Sequence, residues 1–151
     1  MVETSFSKAE LGQARFLAMY PLAHHGYPQP EDDFEFMSVT YDPDLYCKSC
    51  CVGLRQRAPF LMRNEPRWGK KSILQLNWVF DEYFTKPDAW EKVFKPAGIS
   101  CRPVLHARSK KILETVVQLQ ITKSAELYLS AVPFELCKTC GSKKFARVTR
   151  G

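Results

Sequence analysis

Apolar and polar residues along this chain follow mostly the two-residue period of strands. Residues 34–41 mix aromatic and β-branched side chains in partial alternation and predict a strand. Residues 15–23 read as a buried strand ending at Pro21, 57–63 as a short strand and 72–80 as a central one. Residues 99–105 predict a strand with Cys101 inside it as a buried thiol. The cleanest alternation lies within 112–121. Val117, Leu119 and Ile121 fall on one side and Gln118, Gln120 and Thr122 on the other, as in a half-exposed strand of an antiparallel sheet. Residues 144–148 predict a last edge strand.

The helical period is clearest over residues 81–98. Thr85 can cap this helix, Pro87 suits its first turn, and Asp88 sits near the positive end of the dipole. Ala89, Trp90, Val93 and Phe94 share one face, which predicts that Trp90 and Phe94 are core residues. Lys95-Pro96 ends the helix and Gly98 closes the turn. A second start signal appears at Ser7 with Glu10, the pattern of a capping box. Residues 24–30, 42–44, 64–69 and 106–111 carry turn chemistry, and Glu31-Asp32-Asp33 reads as a solvated acidic run.

Two short stretches organise the rest: Cys47-Lys48-Ser49-Cys50 and Cys137-Lys138-Thr139-Cys140. Two thiolates spaced this way can turn toward one point, and two such pairs make a tetrahedral four-sulfur site for zinc. Gly141 follows the second pair and accepts the tight turn of a zinc knuckle. Cys51 follows the first, with Gly53 beyond it, so the first turn reads as less standard. Cys51 is open to two roles, a ligand in place of Cys50 or a buried apolar thiol. About 86 residues separate the pairs, so the metal would join two distant turns with most of a domain between them. Disulfides and a thioredoxin-like redox pair are the rival readings. The first lacks any secretory mark and needs strained geometry, and the second lacks its βαβ context. The expected cofactor is therefore one structural Zn2+ held by Cys47, Cys50, Cys137 and Cys140. Four thiolates leave no open position for a catalytic water.

The predicted fold is α+β: an antiparallel sheet with one clear helix and a zinc-ribbon element formed by the two distant knuckles. A chain of 151 residues, 45% hydrophobic and 13% aromatic, suits one folded domain with a 1–33 N-terminal segment and a 138–151 basic tail. A domain of a longer protein is a further reading. Six cysteines, four of them in two CxxC pairs, no signal-peptide pattern and no apolar run near membrane length predict a cytoplasmic protein.

The formal charge of +6 is concentrated after each cysteine pair. Segment 55–71 holds Arg55, Arg57, Arg63, Arg67, Lys70 and Lys71 against Glu65. Segment 138–151 holds Lys138, Lys143, Lys144, Arg147 and Arg150 and no acid. Zinc would bring these segments toward one face, where Phe60, Trp68 and Phe145 interleave with the cations. A plain solvated surface is the simpler alternative. Catalytic constellations are missing from the sequence: there is no GxSxG, P-loop, HExxH or Gly-rich dinucleotide turn. Cys101 and His106 fall on opposite faces if they share a strand. A non-enzymatic protein is expected.

The paired motifs, the second written Cys137-Lys138-Thr139-Cys140-Gly141, resemble the bacterial double-CxxCG-motif proteins. The segment from Phe84 to Phe94, then Ala97-Gly98-Ile99 and Arg102-Pro103-Val104, adds to the likeness. The first pair departs from the pattern, with Cys51 where Gly stands. The resemblance implies Cys47, Cys50, Cys137 and Cys140 as zinc ligands. It also implies an immunity-like role, in which the protein neutralises a toxin passed between neighbouring cells by covering it. Inhibitors of nuclease toxins are expected to be acidic, so a basic chain predicts an acidic or apolar partner surface. The functional expectation is a zinc-stabilised protein-binding module, immunity-like or adaptor, that occludes or bridges a partner such as a cognate toxin or complex subunit. The alternative is a zinc-ribbon nucleic-acid binder using segments 55–71 and 138–151.

Overall fold

The computed structural model of the protein describes residues 7–13, 24–25, 36–76, 79–122 and 132–145. Within them lie helices α1 (Lys8–Gln13), α2 (Phe36–Thr40) and α3 (Pro87–Ala89). The strands are β1 (His24–His25), β2 (Leu61–Met62), β3 (Ile73–Leu76), β4 (Val79–Thr85), β5 (Ser100–His106), β6 (Ile112–Gln120), β7 (Phe134–Leu136) and β8 (Lys143–Phe145). The class is α+β, as expected. The sheet is mixed, not purely antiparallel. Its order is β1-β3-β4-β6-β5-β2, and both edges, β1 on β3 and β2 on β5, pair in parallel. No helix among the described residues is long and apolar enough to cross a membrane.

The middle of the sheet, β3-β4-β6-β5, is antiparallel throughout, with β6 returning to lie between β4 and β5. Strands β5 and β6 form a hairpin over the turn after His106, where Lys110 takes a φ of 57°. The predicted single strand at 72–80 is instead two strands, reversing between Leu76 and Val79, which pair with each other. The predicted helix is shorter for the same reason. Residues 79–85 carry the aromatic and β-branched character of a strand, so β4 runs to Thr85 and the helix begins only at Pro87. Thr85 does not cap it; its hydroxyl donates to the Ser72 carbonyl at 2.7 Å. The helix continues as a π-helical turn, Trp90–Phe94, and ends where Gly98 (φ 76°) donates to Lys95 O. Trp90 and Phe94 are half-buried, not core; the Trp90 indole N–H donates to Ile99 O at 2.9 Å.

The core is built from Phe60, Met62, Leu74, Leu76, Phe84, Val104, Leu113 and Val116, with Phe60 edge-on to Phe84 at 5.3 Å. Gln118 joins them on the buried side although alternation put it outward, and it is only 1% exposed. Burial of this amide is compensated by bonds. Its Nε2 donates to Gln56 Oε1 and to Glu82 Oε2, each at 2.7 Å, and its Oε1 accepts from Gln56 Nε2 at 2.9 Å. Tyr41 OH donates to the other oxygen of Glu82 at 3.3 Å. Tyr41 and Gln56 bridge each other across the two arms of the first cysteine turn. The network therefore fastens that turn to β4 and β6.

Two expectations fail in the flanks. Residues 36–40 are helical, not a strand, so aromatic and β-branched content was misleading over so short a run. His24–His25 is a short strand, not turn. The Ser7–Glu10 capping box is formed: Ser7 N and Oγ both donate to Glu10 Oε2 at 2.7 Å, and Glu10 N donates to Ser7 Oγ. Hydrogen bonding from Ser7 holds the Glu10 carboxyl below its usual range. The predicted strand at 15–23 and Arg147 lie outside the described residues.

Candidate metal centre

Both cysteine pairs sit on turns of the same construction. In the first, Cys47 N donates to Val52 O at 3.0 Å, and Cys51 N donates to Cys47 O at 2.7 Å. In the second, Cys137 N donates to Ser142 O and Gly141 N to Cys137 O, each at 2.8 Å. Residue by residue these are the same bonds. Cys51, with φ of 60°, does what Gly141 does at 73°. The first turn thus matches the second in these bonds, with a left-handed cysteine in place of glycine.

The arms of the two knuckles are held differently. The first continues from the Tyr41–Gln56 bridge into Phe60 and β2, whose backbone bonds to β5. The second is the loop of the β7–β8 ribbon, in register Phe134–Phe145, Glu135–Lys144 and Leu136–Lys143. Among the described residues, this ribbon pairs with no strand of the main sheet.

Four sulfurs converge where the knuckles meet. Those of Cys47, Cys50, Cys137 and Cys140 all lie within 4.8 Å of one another. Cys47 faces Cys137 at 3.9 Å and Cys50 faces Cys140 at 3.6 Å. A tetrahedron with Zn–S bonds of about 2.3 Å has edges of about 3.8 Å, so the cluster is close to the size of a zinc–tetrathiolate. Cys51 and Cys101 lie outside it: Cys51 is exposed, and Cys101 is half-buried, with burial pushing its thiol up against the influence of Lys95. Neither is the fully buried thiol expected.

The charges around the cluster suit a dication. The backbone N–H groups of Cys140 and Thr139 point at the Cys137 sulfur and pull its thiol down to about 6. The Ser142 hydroxyl, 3.2 Å from Cys140 Sγ, and then the Ser142 backbone lower the Cys140 thiol as well. The Val52 N–H acts in the same direction on Cys50. There, however, desolvation and the neighbouring sulfurs of Cys140, Cys47 and Cys137 prevail and push the thiol up to about 12. Four negative sulfurs this close need a cation among them. Zinc uptake at pH 7.5 is therefore expected to release fewer than four protons, Cys137 being already ionised. Below pH 6 Cys137 holds its proton too, so the release rises by about one and the affinity falls more steeply with acid. Calorimetric zinc titration at pH 7.5 and 5.5, in buffers of different ionisation enthalpy, reads this directly; an unchanged proton count would contradict it.

Cys51→Gly isolates the role of Cys51. A non-glycine residue in the left-handed region costs about 1–2 kcal/mol, offset by about 0.5–1 kcal/mol for the added freedom of glycine in the unfolded chain. The variant is expected to melt at the same temperature or a few degrees higher with its metal content intact. Loss of metal would make Cys51 a ligand.

The proposed basic surface is less uniform than the sequence implied. Arg55, Arg57, Arg63, Arg67, Lys70, Lys71, Lys143 and Lys144 are exposed, and the Arg57 guanidinium donates to Ser38 O. Phe60 is fully buried in the core, so it cannot interleave with these cations. Trp68 is half-buried, packs on the core and donates its indole N–H to Thr115 O at 2.9 Å. Glu65, read only as the lone acid of its segment, accepts from the Glu114 N–H and from the N–H and hydroxyl of Thr115. Sequence reading also missed Ser142 and Val52 as partners of the sulfurs. The available signal was their common place two residues beyond Cys140 and Cys50. No family model, characterised protein or solved structure matches this chain.

Proposed function

We propose that Cys47, Cys50, Cys137 and Cys140 hold one structural zinc ion in a zinc-ribbon element. On this reading the protein is a non-enzymatic binding module, immunity-like or adaptor in the manner of the double-CxxCG proteins it resembles. It acts by occluding or bridging a partner protein. The observation that carries the zinc assignment is the four-sulfur cluster on two matching knuckles. A closed tetrathiolate offers no site for substrate or water, which supports a structural role for the metal.

Protein binding is supported by what surrounds the cluster. Leu45 and Val52 flank the first knuckle, and Phe134, Leu136 and Phe145 flank the second; all are exposed. A group of apolar side chains beside a rigid staple is suited to a partner surface. The nucleic-acid alternative loses support from Phe60, which is fully buried, and from Trp68, whose indole N–H is taken up by Thr115 O.

The test compares partner classes at controlled salt. The zinc-loaded protein is cross-linked in its native host and its partners are identified by mass spectrometry, alongside oligonucleotide binding at low salt. A stoichiometric protein partner, retained at moderate salt and lost with the zinc, is expected. Oligonucleotide binding that weakens steeply with salt would instead establish the alternative.

A further inference from the structure

We propose that one face of the β7–β8 ribbon, made by Phe134, Leu136, Lys143 and Phe145, is the docking surface for an acidic partner-protein segment bearing aromatic or aliphatic side chains. The proposal rests on the protein-binding reading above and gives it a place and a partner chemistry.

Register fixes which side chains share the face. Phe134 stands opposite Phe145 and Leu136 opposite Lys143, so these four project to one side, while Glu135 and Lys144 project to the other. Exposure is high: Phe134 47%, Leu136 60% and Phe145 39%. Scattered apolar residues at a surface need no explanation, but here three of the four positions on one face are large and apolar. Two strands of three residues cannot bury that face by themselves. The two phenyl rings lean on each other at 5.8 Å, and nothing in the ribbon shields Leu136.

Charge selects the occupant. The Lys143 ammonium sits 4.6 Å from the Phe134 ring centroid, holding a cation on the apolar face. Lys138 and Lys144 are exposed on the same segment, and Glu135 is the one acid between 132 and 145. A complementary surface is therefore acidic around apolar anchors. A second copy of the chain is disfavoured, because it would place the same lysines against each other on molecules each carrying a formal charge of +6. Nucleic acid fits less well, because Leu136, the most exposed member, offers neither a stacking plane to bases nor charge to phosphate.

The experiment selects random 12-residue peptides displayed on phage against the zinc-loaded full chain, then measures synthetic copies by fluorescence anisotropy. Peptides combining acidic with aromatic or aliphatic residues are expected, with affinity falling at least tenfold in Leu136→Ser and in Phe145→Ser. Lys143→Glu leaves the apolar packing in place and is expected to cost at least tenfold as well, so the test survives if a serine variant fails to fold. Zinc content, measured for every variant, should stay at one per chain. Failure to enrich any peptide overturns the proposal. So do selected peptides that bind all variants equally, although the protein-binding reading then stands with its surface elsewhere. Dimerisation abolished by Leu136→Ser would make a second copy the occupant and overturn the acidic partner. Oligonucleotide binding lost in Lys143→Glu would overturn both readings.

Discussion

Cys137→Ser is expected to weaken zinc binding about a hundredfold and, once a chelator strips the weakened site, to release the β7–β8 ribbon while leaving the main sheet folded. Apparent binding energies of structural zinc sites are about 10–16 kcal/mol, so one ligand of four carries roughly 3 kcal/mol, or about a hundredfold in affinity. The effect should be local because the two knuckles are anchored unequally. The first is tied to β4 and β6 through Tyr41, Gln56, Glu82 and Gln118. The second belongs to a ribbon that pairs with no other described strand. Two short strands alone are marginal in water, so loss of the sulfur junction removes what orders them. Amide exchange separates the outcomes. Protection should vanish over 134–145 and persist in β5 and β6. Global unfolding would mean the metal stabilises the sheet itself, and unchanged protection would mean the sulfurs hold no metal.

Gly53→Ala should be the costliest single-methyl change in the first knuckle. Gly53 has φ of 95°, and an added Cβ would lie 2.7 Å from the Leu45 carbonyl oxygen, a backbone atom that cannot swing aside. Strain of this kind and a backbone clash together cost about 3 kcal/mol. Because the displaced backbone also carries Cys47 and Cys50, zinc affinity should fall with stability. Gly141→Ala is the control. Its φ is 73°, but nothing lies within 4 Å of the added carbon, so only the left-handed penalty of about 1 kcal/mol applies. Denaturant titration of the zinc-loaded proteins should place Gly53→Ala well below Gly141→Ala; equal losses would refute the steric account.

What the sequence disclosed and what it concealed divide along physical lines. The meeting of the four cysteines was legible because each CxxC pair can turn two sulfurs toward one point, and two such pairs in one chain make a four-sulfur cluster. The Ser7–Glu10 box was legible because it is purely local. The β5–β6 hairpin was legible because a basic turn separates two strand-like runs. Gln118 was not, since its burial depends on Gln56 and Glu82, which are 62 and 36 residues away. Phe60 and Trp68 were misjudged for a similar reason: neighbouring cations say nothing about which way an aromatic ring turns. The parallel edge pairings of β1 and β2 lay beyond reach because two-residue strands carry no readable period. At Cys51 the residue type hid the knuckle. A bulky residue in a left-handed turn is uncommon, and only the matching backbone bonds of Gly141 expose it.

Native mass spectrometry of the purified protein, before and after chelation, tests the zinc staple most directly. The account predicts one zinc per chain, removed by the chelator together with the order of residues 134–145. A metal-free chain, or masses lighter by the hydrogens of disulfides among Cys47, Cys50, Cys137 and Cys140, would contradict it.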